Sequence, residues 1–252
     1  MTLEAAGKAA LKVLGAASGK KKESGDGCLK FILTGLLAQL LLAVLINEVA
    51  GKWFKKISQS FMFLPNFLSW AVVSVFAYAL FSTNDGLVNN LIATLGGNRI
   101  SFYTTPEVWP TVLVLLKIWK GAGYGMVVFL AAITGIDQGV YEAARIDGAN
   151  RFQQILHITI PQLKTTVVVL LVLSVGSIFV GDFGMIYAIV GDNPLLYSTT
   201  DVIDTFVYRT LRVQNDIGMS TAVGLLQSVL GILFAVSTNY IAKKLDEGSS
   251  VF

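Results

Sequence analysis

Five apolar blocks separated by polar loops constrain this chain more than any other feature of its sequence. They run from Phe31 to Ile46, Phe61 to Phe81, about Val108 to Ile133, Thr165 to Val190 and Ile217 to Ala242. At about 1.5 Å per residue, each is long enough as a helix to cross roughly 30 Å of hydrocarbon. The first reaches that length only if Cys28 and Leu29 join it. Strands are disfavoured, because a barrel would show alternating segments of about ten residues and these runs are continuous. Of the 252 residues, 54% are hydrophobic and 14% charged, too little polar sequence to coat five buried helices in water. The expectation is an all-α transmembrane helix bundle with five clear spans.

Charge in the short loops orients such a bundle. The loop from Asn47 to Ser60 carries Lys52, Lys55 and Lys56, the loop from Thr134 to Lys164 carries Arg145, Arg151 and Lys164, and the tail carries Lys243 and Lys244. The opposite loops, Ser82 to Glu107 and Gly191 to Asp216, hold only Arg99, Arg209 and Arg212. The first group therefore reads as cytoplasmic, and so does the C terminus of a multi-pass cell-membrane protein. The net charge of +3 is too small and too scattered for a nucleic-acid surface.

Residues 1–28 form an atypical N-terminal segment, 29–245 the membrane domain and 246–252 a short tail. Alternation of five spans puts the N-terminal segment outside despite Lys8, Lys12, Lys20, Lys21 and Lys22. Three explanations stand: the segment is translocated despite its charge, the first block crosses imperfectly, or a helix is missing upstream. Residues 3–17 also fit a weak amphipathic helix on the bilayer surface. The basic run follows its weakly apolar stretch instead of preceding it, so this is no secretory signal. Cys28 is the only cysteine, which excludes a disulfide within the chain.

The most patterned loop spans residues 134–164. Tyr141, Ala144, Ile155, Ile158 and Leu163 alternate with charged and amide groups, as expected of short helices that lie against a bundle and show a polar face to a partner. Gly148 supplies a turn between two helical pieces, at no steric cost if φ is positive, and Pro161 stops or kinks the second piece.

Glu142, Ala143, Ala144, then Gly148, then Ile158, Ile160 and Pro161 have the spacing of the signature of permease subunits of binding-protein-dependent ABC importers. Ile160 stands where that family usually has leucine. The chain resembles in particular the carbohydrate importers of the polysaccharide-permease type, from about Leu33 to Leu245. Further segments that carry the resemblance are AVLINEV with Asn47 and Glu48, LPNFLSW from Leu64 to Trp70, LVNNL from Leu87 to Leu91, and the run from Asn193 to Arg209. Family members usually have six spans, one of them before the position of Phe31, and residues 1–28 do not resemble that helix.

The resemblance implies that the 134–164 loop is a cytoplasmic coupling helix seated in a groove of an ATPase, with Glu142, Ala143, Ala144, Arg145, Asp147, Gly148, Ile158 and Pro161 as coupling residues. It also implies a second permease subunit, an ABC ATPase dimer that uses ATP and Mg, an extracellular solute-binding protein and a carbohydrate substrate. No cofactor is expected in this chain, since it contains no GxxxxGK[ST] run to hold a nucleotide.

Candidates for a substrate pathway are fewer. Lys117 and Lys120 interrupt the third block, where a deep lysine costs about 2.5–3.5 kcal/mol unless it meets a cavity or partner; the alternative is snorkelling to the interface. Gly121, Gly123 and Gly125 follow and favour a broken or closely packed helix. Asp182 is the other ionisable group at depth, suited to a polar cavity or an internal bond. Trp119, Tyr124 and Tyr187 would stack on sugar faces, or anchor at an interface. His157 is the only histidine and lacks partners at ligand spacing, so neither a metal site nor a catalytic triad is expected. A non-transporting membrane scaffold, or a permease for a non-sugar solute, is the alternative to a carbohydrate permease.

Overall fold

The computed structural model describes residues 21–49, 51–176 and 181–245, and among these every regular element is helical. In chain order they are α1 (Lys21–Glu48), α2 (Lys52–Phe67), α3 (Trp70–Phe81), α4 (Leu87–Thr94), α5 (Trp109–Thr134), α6 (Gln138–Ile146), α7 (Arg151–Gln154), α8 (Ile160–Gln162), α9 (Lys164–Gly176), α10 (Phe183–Val190), α11 (Tyr197–Thr200), α12 (Ile203–Arg212) and α13 (Ile217–Leu245). The suggested helix over 3–17 and the tail 246–252 lie outside the described residues.

Two helical stretches, Pro106–Thr134 and Ile217–Tyr240, are each long and apolar enough to cross a bilayer. The second and fourth blocks are not the continuous helices expected of them. In the second, Pro65 falls in the last turn of α2. Proline has no N–H for the Phe61 carbonyl and its ring crowds that carbonyl, so the helix ends at Phe67. Ser69 then starts α3, its hydroxyl accepting from Val72 N–H at 3.3 Å. In the fourth block, Gly181 and Asp182 are non-helical and Asp182 caps α10. Trp53–Phe67 with Trp70–Phe81, and Arg151–Gln162 with Lys164–Ser174, reach spanning length only as broken pairs, and Ile32–Glu48 is apolar but shorter.

The third block stays helical through its three glycines. A Cβ on Gly123 would lie 2.0 Å from the Met62 carbonyl oxygen and 2.7 Å from the Phe63 Cα, so the glycine lets α5 rest on the backbone of α2. In lipid, helices gain little from hydrophobicity and associate by such close packing.

The described chain divides into two compact units. The first draws on residues 68–117 and 181–231. Its core joins Ala77 of α3, Trp109, Val112 and Leu113 of α5, and Met185, Ile186, Ile189 and Val190 of α10. Phe81, Phe102, Tyr103 and Trp109 meet edge-on or tilted around it, and the Trp109 indole donates to the Phe102 carbonyl at 2.8 Å. Asn89, fully buried, closes the 82–100 loop: its amide donates to the Ser82, Thr83 and Ile100 carbonyls, and its oxygen accepts from Ile100 N–H. Asn193 donates to the Tyr103 carbonyl at 2.8 Å and Thr199 to the Pro106 carbonyl at 2.7 Å. The two loops poor in basic residues are thus bonded to each other.

The second unit draws on residues 26–49, 51–67, 118–176 and 232–245. Ala43 and Ile46 of α1, Met126, Phe129, Leu130 and Ile133 of α5, and Leu163 form its core. Leu33, Leu37, Leu41 and Leu45 repeat every four residues along the exposed side of α1, a stripe suited to lipid or another helix.

Candidate functional site

The 134–164 loop folds as a chain of capped short helices within the second unit. Asp137 begins α6, its carboxylate accepting from Gly139 N–H at 2.9 Å. The end is a Schellman turn, with Ala149 N–H bonded to the Ala144 carbonyl and Gly148 N–H to the Arg145 carbonyl, and Gly148 sits at φ +81°. Positive φ is therefore required at Gly148. Two residues on, Asn150 and Gln153 form a reciprocal capping box that starts α7. Both ends of the turn are held by their own bonds.

After α7 comes a π-helical turn, Ile155–Thr159, where Ile160 N–H reaches back to the Ile155 carbonyl. The wide turn sits just before Pro161, whose missing donor breaks the regular ladder. The axis bends by 52° between Arg151–Gln162 and Lys164–Ser174. The expected kink at Pro161 is present.

Tyr141, Ala144, Ile155 and Ile158 are partly buried and Leu163 is 1% exposed, so they form the face against the unit. Tyr141 and Thr159 share a hydrogen bond of 2.9 Å that ties α6 to the π turn. Glu142, Ala143, Arg145, Asp147, Gly148 and Pro161 are exposed. The outer face is less polar than its sequence pattern implies, because Ile146 is 87% exposed and Phe152 71%, with Val140 and Leu156 also bare. Ile146 and Phe152 flank the Gly148 turn, and exposed apolar groups of this size suit contact with a protein or a membrane. Sequence reasoning passed over both, although an isoleucine and a phenylalanine in a loop this polar were the available signal. His157 lies on the same stretch and bonds within its own turn, Nδ1 to the Gln153 carbonyl at 3.1 Å.

Behind the loop is a cavity of about 360 Å3, lined among others by Asn47, Glu48, Tyr141, Arg145, Arg151 and Gln154. The C-terminal end of α1 and the loop after α5 therefore meet at one place.

The pathway candidates fall three to each unit. In the first, Lys117 Nζ lies 3.6 Å from Asp182 Oδ2, with the side chains 43% and 26% exposed. Asp182 also accepts from Met185 N–H at 3.2 Å, which places it at a helix start, where the dipole favours a carboxylate. Asp182→Asn keeps an oxygen for the cap and removes the pair. A loss of no more than about 1 kcal/mol is expected in thermal unfolding of the purified protein, because the pair is partly exposed. Asp182→Ala loses both and should cost about 1 kcal/mol more. Tyr187 stacks on Phe183 with centroids 5.1 Å apart and shares a 3.3 Å bond with Tyr208. Nearby, Arg209 is held by Asp201 at 2.8 Å and covers the Tyr197 ring at 4.1 Å, while the Tyr197 hydroxyl donates to Asp192. The bond to Asp201 raises the Arg209 pKa above its ordinary value, so this charge is fixed.

In the second unit, Lys120 Nζ donates to the Asn66 carbonyl at 2.9 Å, satisfying one of the orphan carbonyls at the end of α2. Trp119 and Tyr124 are 47% and 56% exposed. Among the described residues no group of three or more His, Cys, Asp or Glu is placed to hold a metal ion.

Residues 33–247 match the family described as binding-protein-dependent transport system inner membrane component. The chain is 40% identical over 216 residues to Protein LplB of Bacillus subtilis, covering 86% of this chain and 67% of that one. It is 37% identical over 208 residues to the polygalacturonan/rhamnogalacturonan transport system permease protein YteP of the same organism, covering 82% and 64%. The chain thus spans about two thirds of the length of these relatives. Among solved structures, it is similar to a chain of a bacterial ABC transporter involved in import of the acidic polysaccharide alginate, with a TM-score of 0.80 and 33% identity over 88% of this chain and 78% of that chain. A structure of a bacterial alginate ABC transporter in complex with an alginate pentasaccharide-bound periplasmic protein matches with a TM-score of 0.79 and 33% identity, covering 87% and 77%.

Proposed function

Because this chain belongs to the binding-protein-dependent transport-system inner-membrane components, among the carbohydrate ABC permeases, we propose that it is the membrane-spanning subunit through which a separate ATPase dimer drives carbohydrate import. The observation that carries the reading is the rigid, exposed turn at Gly148 with Ile146 and Phe152 bare on either side. Closure of two ATPase subunits on MgATP displaces this turn, and its fixed caps pass the displacement to α5 and α9. The bundle responds by exchanging outward-open and inward-open arrangements. The chain itself breaks no bond. A second permease completes the path, and a solute-binding protein delivers substrate from outside. The sugar-handling names of its relatives support a carbohydrate cargo, for which Lys117, Trp119, Lys120, Tyr124, Asp182 and Tyr187 are the pathway candidates.

Co-purification from the native membrane tests the assembly, followed by ATP-dependent uptake of labelled oligosaccharides in vesicles. Partner binding without ATP-dependent flux would favour a scaffold instead. Sidedness has its own test in a Cys28→Ser background: Ser101→Cys should react with a membrane-impermeant maleimide from outside, and Ala149→Cys only after the membrane is opened. Labelling of Ala149→Cys in sealed cells would place the loop on the wrong side for an ATPase.

A further inference from the structure

Glu48 stands at the C-terminal end of α1, where the helix dipole opposes a carboxylate, and the last turn of α1 carries no basic residue. Local physics disfavours an acid at this position, which directs attention to what faces it. Glu48 lines the cavity behind the coupling loop together with Arg145 and Arg151. All three side chains are exposed, and among the described residues none is in an ion pair. The neighbouring Asn47 is tied by Lys55 Nζ at 3.1 Å, which holds the end of α1 in place. Gln154, which also lines the cavity, is 4% exposed; its amide donates to the Ala149 carbonyl at 2.9 Å, but its buried oxygen has no partner. A buried acceptor without a donor is costly, and a guanidinium is a donor of five N–H groups.

We propose that Glu48 is a positioning residue of the coupling loop, its carboxylate pairing with Arg145 or Arg151 across the cavity in one transport state and standing open, as here, in the other. Closing the cavity brings opposite charges together and carries arginine N–H groups toward the unpartnered Gln154 oxygen. The pair thus links the loop to α1 as well as to α5 and α9, which completes its grip on the second unit. The proposal rests on the transporter reading above.

The test uses the whole importer, assembled with its own partners in proteoliposomes, and reads ATP hydrolysed per solute moved. Glu48→Gln should raise that ratio about threefold, within the range of an exposed ion pair. Glu48→Arg should raise it further, and one of the reversals Arg145→Glu or Arg151→Glu, combined with Glu48→Arg, should bring it back. In a Cys28→Ser background, Glu48→Cys with Arg145→Cys or with Arg151→Cys should form a disulfide whose yield changes when nucleotide is added. An unchanged ratio in Glu48→Gln, failure of both reversals to restore it, or yields indifferent to nucleotide would overturn this proposal alone. An assembled wild-type complex that hydrolyses ATP without moving solute would overturn the transporter reading as well.

Discussion

Glu142→Arg and Gly148→Val are each expected to reduce ATP-driven uptake by roughly tenfold or more, the loss associated with removing one strong charged contact or one required turn from an interface. The two variants act by different routes. Glu142 is exposed beside the turn, so reversing its charge leaves the fold of α6 intact and alters what a partner meets. Gly148 has open space around its Cβ position, so the first side-chain carbon of a valine there meets no neighbour within 4 Å. Its cost comes from φ +81°, where an L side chain loses about 1–2 kcal/mol and a β-branched one more. The turn opens, and Ile146 and Phe152 are no longer presented together. Pull-down of the ATPase with each variant, beside uptake at matched membrane abundance, checks both routes. Normal binding with normal uptake would remove the coupling role from this loop.

Gly123→Leu is expected to destabilise the purified protein by about 3 kcal/mol, the upper part of the range for overpacking. The atoms in its way are the carbonyl carbon and oxygen of Met62 and the Cα of Phe63, all backbone and unable to rotate aside. The neighbouring glycines supply the controls. A Cβ on Gly121 meets nothing within 4 Å, so Gly121→Ala should be neutral or stabilising by up to about 1 kcal/mol. A Cβ on Gly125 meets the Gln39 side chain, which can move at moderate cost. Thermal unfolding in detergent or nanodiscs should rank the three Gly121, Gly125, Gly123 in rising severity. Equal effects would mean that α5 does not rest on α2 through Gly123.

The 134–164 loop was the most legible part of the chain because its information is local. Gly148 as the turn and Pro161 as the kink were read from the sequence and fit their places; Asp137 and Asn150, the caps that the structure adds, also act on backbone bonds only two or three residues away. Pro65 shows the opposite case. An apolar run with one proline is compatible with a proline in the first turns or in the last, and nothing in the run itself says that α2 begins back at Lys52. The fourth block misled for a similar reason. Asp182 looked like a charge within a span, whereas Gly181 and Asp182 interrupt the helix and the carboxylate serves as a cap and ion-pair partner.

Sequence alone determined the solvent in which this chain folds, its all-helical class and the family signature around Glu142 and Gly148, because long apolar runs in lipid must bond their backbone within the helix and a cap acts at short range. Tertiary structure alone decided that Lys117 meets Asp182, that Lys120 bonds a carbonyl at the end of α2, that Gly123 admits the backbone of Met62, and that Glu48 lines one cavity with two arginines. Each of those pairs is separated by dozens of residues or more along the chain. Which distant groups touch depends on how helices pack, a property of the assembled surfaces that hydropathy and spacing do not encode.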